Sequence, residues 1–360
     1  MKKALVIFLL AGLLQLFALK IDAIGQAVAI RAAFDSAAQN GFSGVVLYAE
    51  NGKPLLFQAS GYRHFETREA LKTSDIFELA SVSKQFTAMV IMMLKEKGKL
   101  QYDDSVSKYL DIPYKGITIR HLLTHTSGLP DYQEIMDAYW DKSKVAGNTE
   151  ILEYLNRYRP PSDFLPGEKY EYSNTGYVLL ASIAEKASGR DFIDLCRQWI
   201  FRPLKMKDTN IRTLKQKARE KRFAAGHLKD STGQYVNASQ FPANDYTIWL
   251  GNRKGPGRIS STATDLLKWD QALYTQTLVS SQVLNEAFQP MKLNNGTLSN
   301  YGFGWQVSKS ANVGLVVYHT GDNPGYRTLI IRNIGQKHTL VILNNNAHPA
   351  IGQISGAFEK

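Results

Sequence analysis

Apolar positions along the chain recur with two different periods, and the switches between them mark its parts. Near the N-terminus, Gly44 to Glu50 and Pro54 to Tyr62 are runs of β-forming residues joined through Asn51-Gly52, a dipeptide suited to the positive φ of a tight hairpin turn. From Ser81 to about Lys97 the period lengthens. Phe86, Met89, Val90, Met93 and Leu94 recur at helical spacing, and Gly98 supplies a stop. Helical patterns continue over Thr149 to Tyr158, Thr175 to Ser188 and Asp191 to Phe201, halted by Pro160-Pro161, Gly189 and Pro203 in turn. Another helix begins near Ser260-Ser261-Thr262 and runs to about Tyr274. Short-period runs return at Tyr301 to Ser308, Val313 to His319, Tyr326 to Arg332 and Lys337 to Leu343, and a last helix is expected from about Pro349 to Phe358.

Strands at both ends with helices between them predict an α/β fold, in which an antiparallel sheet built from both chain ends is flanked by helices and a mostly helical region is inserted. The expected division is residues 26–100 with 255–360 for the sheet domain and 101–254 for the insert, with the active site at the seam. Met1-Lys2-Lys3 followed by the apolar stretch Ala4 to Ala18 reads as a secretory leader, too short to span a bilayer comfortably. The small residues Ala23 and Gly25 place cleavage before Gln26, making residues 1–25 the signal peptide; Leu16-Phe17-Ala18 is the second choice. The expectation is an exported protein, periplasmic or secreted, with no stable membrane span, or membrane-anchored if the leader stays.

Composition narrows the function classes. With 360 residues, 44% of them hydrophobic, the chain can bury one large core or two smaller ones, and disorder is not expected. Its single cysteine, Cys196, excludes an internal disulfide and a thiolate metal cluster, and lies in the apolar pattern Phe192-Ile193-Leu195-Trp199 of a core segment. The formal charge of +11 raises the question of nucleic acid or cell-wall polymer. The dense cluster from Lys215 to Arg222 contains Glu220 and no interleaved aromatics, so it reads as a solvated helix or loop, and no nucleic-acid partner is expected.

Ser81-Val82-Ser83-Lys84 places a hydroxyl and an amine on one face of a helix start, one turn apart, so that a base can serve a nucleophile beside unpaired backbone N–H groups. Ser105-Val106-Ser107-Lys108 repeats the spacing, but leads into Tyr109-Leu110-Asp111 and Pro113 instead of an apolar helix. Burial of the first helix would hold its first turn rigidly and lower the lysine's proton affinity. Tyr172-Ser173-Asn174 lies in a loop between Pro166-Gly167 and a helix, where a phenol can relay a proton and an amide can bind a carbonyl. Tyr154-Leu155-Asn156 shares that spacing inside a predicted helix and reads as packing. His319-Thr320-Gly321 is expected to end a strand, its glycine allowing a substrate backbone to approach.

With these three elements, the chain resembles the serine β-lactamase and penicillin-binding protein superfamily, in its class C and DD-peptidase branch. The resemblance also rests on Phe42-Ser43-Gly44-Val45-Val46, Phe77-Glu78-Leu79-Ala80, the run His121 to Pro130, Pro166-Gly167-Glu168, Ser261 to Leu266, Tyr301-Gly302-Phe303-Gly304-Trp305 and Pro324-Gly325-Tyr326-Arg327, and covers nearly everything after residue 40. It implies that Ser81 attacks an amide or ester carbonyl to form an acyl-enzyme while Lys84 and Tyr172 move the proton. Asn174 would bind the acyl side chain, and the backbone N–H groups of Ser81 and Asp322 would form the oxyanion hole. Neither metal nor organic cofactor is implied. His319 stands where class C β-lactamases usually carry lysine, and a neutral imidazole recognises anions less strongly; Arg327 is a candidate for supplying that charge. The resemblance therefore points to a peptidase or esterase acting on small-molecule or short peptide substrates, including cell-wall peptides. A true β-lactamase and a noncatalytic penicillin-binding sensor are the alternatives.

Overall fold

The computed structural model describes residues 23–241, 245–310 and 314–358. Residues 1–22, most of the expected leader, lie outside the described residues. The first described element is a helix over residues 23–39 (α1), which the sequence reading did not anticipate. Ala27, Ile30, Phe34 and Ala37 are its buried stripe, spaced by one or two helical turns. A cut before Gln26 would remove the first turn of α1, in which Ala23 is also buried.

Six strands form the main sheet: β1 (Gly44–Glu50), β2 (Lys53–Ser60), β3 (Gln306–Ser310), β4 (Gly314–Asn323), β5 (Tyr326–Asn333) and β6 (His338–Asn344). Their order is β3-β4-β5-β6-β1-β2, and every pairing is antiparallel, so the two chain ends meet where β6 pairs with β1. Successive side chains point to opposite faces. Val45, Leu47, Val341 and Leu343 join the large core, whereas Val46, Tyr48, Leu340 and Ile342 pack with α1 and the C-terminal helix Ile351–Gly356. Both faces are thus covered, which is why Leu340-Val341-Ile342-Leu343 reads as an unbroken apolar run rather than an alternating one.

Under the inner face lies α2 (Lys84–Glu96), preceded by a 3-10 turn over Ala80–Ser83. Every residue from Lys84 to Leu94 is buried, so α2 runs through the core rather than along its surface. It packs against α3 (Asn174–Ser188), which Ser173 caps by accepting from Gly176 N–H and Gly189 ends in the left-handed conformation. A small second sheet, Phe77–Glu78 with Ile259–Ser261 and Asn210–Ile211, fixes the approach to the 3-10 turn.

Two strand boundaries differ from expectation. Tyr301 to Trp305 stays outside the strands, and β3 starts only at Gln306. The strand expected to end at His319 runs on to Asn323, because its ladder with β5 continues through Asp322↔Arg327 and Asn323↔Tyr326. Since β3 pairs only with Gly314 to Tyr318, the other edge of β4 is unpaired from His319 onward. No helix among the described residues is long and apolar enough to cross a membrane.

Candidate active site

The unpaired edge of β4 is seated against the turn that begins α2. A Cβ on Gly321 would collide with the carbonyl oxygen of Leu79 and the hydroxyl of Thr328, and would lie 3.1 Å from Ala80 Cβ. Only glycine permits this approach, and Thr328 Oγ1 completes it by donating to Leu79 O at 2.7 Å. Ala80 takes a left-handed φ of 48°, an uncommon conformation for a residue with a side chain, directly before Ser81.

Lys84 Nζ stands 3.0 Å from Ser81 Oγ, 2.8 Å from Asn174 Oδ1 and 3.0 Å from Pro256 O, and the whole residue is buried. Burial pushes its pKa well below the ordinary lysine value; the Arg253 charge adds to the effect and Asp131 opposes it. The Tyr172 ring lies under the same amine, 4.7 Å from its centroid. Although 39% of the Tyr172 residue remains exposed, burial around its hydroxyl raises the phenol's pKa, against the effect of its hydrogen bond with Ser81. Tyr172 is therefore a neutral phenol at neutral pH, and among these three residues the amine is the available base.

His319 is fully inside. Its Nδ1 lies 2.6 Å from Thr320 O and its Nε2 lies 2.7 Å from the Tyr301 hydroxyl. The carbonyl can only accept, so Nδ1 carries the proton and Nε2 accepts from Tyr301. Burial, with Lys84 nearby, pushes its pKa down to about 3. Both ring nitrogens are thus engaged within the protein, so in this arrangement the imidazole presents neither a charge nor a free N–H to a substrate. Thr320 and Asp322 point outward on the exposed face, and Asp322 is paired with Arg327 at 3.4 Å. That pairing occupies the guanidinium that the sequence reading offered to an anionic substrate.

The two decoys are placed elsewhere. Ser105 Oγ bonds to Ser107 Oγ at 2.7 Å, while Lys108 reaches back to Asp104 at 3.0 Å, all on the surface. Tyr154 packs between Trp140 and Tyr158 in the helix Asn148–Tyr158. The basic segment is a surface helix, Leu214–Arg219, but Lys217 departs from the expected solvated face by turning inward to pair with Glu78.

Several residues were missed by sequence reasoning. His125, with φ 57°, accepts from Ser173 N–H at 3.0 Å and packs its ring 4.3 Å from that of Tyr172. Its carbonyl accepts from Glu171 N–H, and Pro130 O accepts from Thr175 Oγ1 at 2.7 Å, so the run His121 to Pro130 clamps the Tyr172-Ser173-Asn174 loop largely by backbone contacts. The density of that motif was the one available signal. Tyr301 stood in the run Tyr301-Gly302-Phe303-Gly304-Trp305, but nothing local linked its hydroxyl to His319, and Pro256 carried no signal, since a backbone carbonyl recruited from a distant loop has no local pattern. No group of three or more His, Cys, Asp or Glu among the described residues is arranged to hold a metal ion.

A family model described as Beta-lactamase matches residues 25–355. Penicillin-binding protein 4* of Bacillus subtilis (strain 168) is 42% identical over 307 residues, covering 84% of this chain and 68% of that protein. The octameric penicillin-binding protein homologue from Pyrococcus abyssi superposes with a TM-score of 0.78 at 25% identity, covering 91% of this chain and 76% of that one. The D-amino acid amidase from Ochrobactrum anthropi SV3 shares the fold, with a TM-score of 0.75 at 24% identity over 93% of this chain and 96% of that one.

Proposed function

Because the chain belongs to the β-lactamase family of serine hydrolases, we propose that it cleaves small amide or ester substrates through an acyl-enzyme on Ser81. The observation that carries this reading is the coordination of Lys84. A neutral amine has two N–H donors and one lone pair. Asn174 Oδ1 and Pro256 O accept from the two donors, which leaves the lone pair facing Ser81 Oγ at 3.0 Å. The serine hydroxyl then donates to the amine and is poised to lose its proton as it attacks.

As Ser81 Oγ bonds to the substrate carbonyl carbon, the oxygen gains charge that the backbone N–H groups of Ser81 and Asp322 would receive. Tyr172 gives its phenolic proton to the leaving group and takes back from Lys84 the proton that Ser81 lost, and it is then placed to help water release the acyl group. Asn174, its Oδ1 engaged by Lys84, keeps its Nδ2 for the acyl chain. The free edge of β4 offers Thr320 to Asp322 as a strand partner for an extended substrate. His319, neutral and bonded to Tyr301, supports the strand without attracting a carboxylate, which favours peptides and esters over efficient β-lactam turnover. Arg327 would have to leave Asp322 to serve an anion.

A fluorescent penicillin or fluorophosphonate tests the reading. Labelling of the native protein and of Ser105→Ala, with none of Ser81→Ala, is expected. Labelling of Ser81→Ala would overturn it.

A further inference from the structure

The formal charge of +11 is unevenly placed along the chain. Between Arg197 and Arg222 stand ten lysines and arginines against two acidic residues, Asp208 and Glu220. Some of these cations are spent inside the fold: Lys217 pairs with Glu78, Arg222 with Asp208, and Arg212 is buried with its guanidinium on Ser260 and the Asp208 carbonyl. Others converge at the surface. Arg197, Arg202, Lys205 and Lys207 are all exposed and line one groove of about 370 Å³, to which no acidic side chain contributes. Arg197 pairs with Asp194, whereas the side chains of Arg202, Lys205 and Lys207 have no ion-pair or hydrogen-bond partner among the described residues.

The backbone is shaped to bring these four together. Cys196–Phe201 is a π-helical turn, and Arg202 N–H bonds at 3.0 Å to Arg197 O, five residues back. Residues five apart on a regular α-helix point about 140° away from each other; the wider turn brings the two arginines toward one side, where both line the groove. Lys205 then takes a left-handed φ of 54°, uncommon for a residue with a side chain, in a turn whose N–H bonds back to Arg202 O at 3.0 Å, and Lys207 lines the same groove.

Cations gathered without counter-charge attract an anion, and the rest of the lining decides which kind. Phe201 and Met206, the large apolar residues there, are buried, so nothing is free to enter a lipid layer or to stack on a nucleobase. The cations are long side chains at the surface rather than a buried cage, so a single phosphate would be held weakly and affinity has to come from several contacts at once. We propose that this groove docks a linear phosphate polymer, with successive phosphates against Arg197, Arg202, Lys205 and Lys207. None of these residues is among those around Ser81, so the site stands independently of the acyl-enzyme reading.

Calorimetric titration with a short inorganic polyphosphate tests it. The native protein is expected to bind and to lose affinity steeply with added NaCl, as screened contacts do, while inorganic phosphate at the same phosphate concentration gives no measurable binding. Arg202→Glu combined with Lys207→Glu should weaken polyphosphate binding by about tenfold or more. Lys215→Glu combined with Lys221→Glu makes an equal change of charge on exposed residues outside the groove and should leave binding within about threefold. Lys205→Asn removes one cation and suits the left-handed φ, so it supplies the answer if the groove pair does not fold: a loss of about threefold is expected, against none for Lys215→Asn. Absence of native binding, equal losses inside and outside the groove, or native affinity in the groove variants overturns the proposal. So does equal binding of inorganic phosphate, or tighter binding of an oligothymidylate or of phosphatidylglycerol vesicles that the groove variants abolish.

Discussion

Replacing Gly321 by alanine tests whether the free edge of β4 works together with Ser81. The new methyl would overlap Leu79 O and Thr328 Oγ1 and press on Ala80 Cβ at 3.1 Å. Leu79 and Ala80 are held by the strand pairing of Phe77–Glu78 and by the buried 3-10 turn, so β4 has to yield. Overpacking of this kind costs about 1 to 3 kcal/mol. Loss of the Thr328–Leu79 hydrogen bond adds about 1 kcal/mol, and together they lower Tm by several degrees without unfolding the protein at 25 °C. The catalytic loss is expected to be larger than stability explains. In the proposed mechanism, moving Asp322 N–H away from Ser81 removes one oxyanion donor, worth about 10²- to 10³-fold in the acylation rate. Stopped-flow acylation by a fluorescent penicillin measures it directly. Thr328→Val, which removes the hydrogen bond but adds no atom beside Leu79, separates strand displacement from the lost bond, and Gly335→Ala, where the only neighbour is Asn333 Oδ1 at 3.8 Å, is the control. Acylation within about threefold of the native rate in a folded Gly321→Ala protein would refute the oxyanion role of β4, since a lost donor costs far more.

The remaining expectations concern protons. Lys84→Met should slow acylation strongly and raise Tm: the folded amine has a depressed pKa while the unfolded one takes a proton below about 10.4, so native Lys84 costs stability increasingly as pH falls. No gain in Tm at pH 7 would contradict that burial. Lys84→Ala and Tyr172→Phe should each slow acylation by about 10²- to 10⁴-fold, and the double variant should lose less than the product of the two; full multiplication would refute a shared relay. His319 is neutral in the fold with a pKa of about 3, and His125 is also lowered by burial, so both are protonated first in the unfolded chain. Stability should therefore fall below about pH 6.5 by up to about 1.4 kcal/mol per pH unit for each histidine, and His319→Gln should flatten that slope in melts between pH 4.5 and 7; an unchanged slope would mean that His319 is charged in the fold. His319→Lys should raise kcat/KM on a carboxylate-bearing β-lactam relative to a neutral ester, and Arg327→Ala should lower it on anionic substrates only; unchanged ratios in both would show that neither residue reads substrate charge.

Local signals in the sequence determined much of this protein. The hairpin at Asn51-Gly52, the apolar helix after Ser81, the capped helix after Tyr172-Ser173 and the C-terminal strands all follow from period, turn residues and caps, which act over a few residues. Ser81 and Lys84 were legible for the same reason, because a helical turn fixes their spacing. Tertiary structure decided what depends on residues far apart in the chain. Helix α1 was lost beside the leader because its stripe is made of small residues and one phenylalanine, and only the outer face of the sheet gives that stripe a purpose. Strand β4 continued past His319 because pairing with β5 outweighs the poor strand propensity of Gly321-Asp322-Asn323. The proton state of Lys84 needed Asn174, Pro256 and Arg253 brought together around it, and that of His319 needed Tyr301. Lys217 read as one more surface charge until the fold set it against Glu78. A charge's desolvation and its partners are properties of the assembled core, and no stretch of sequence contains them.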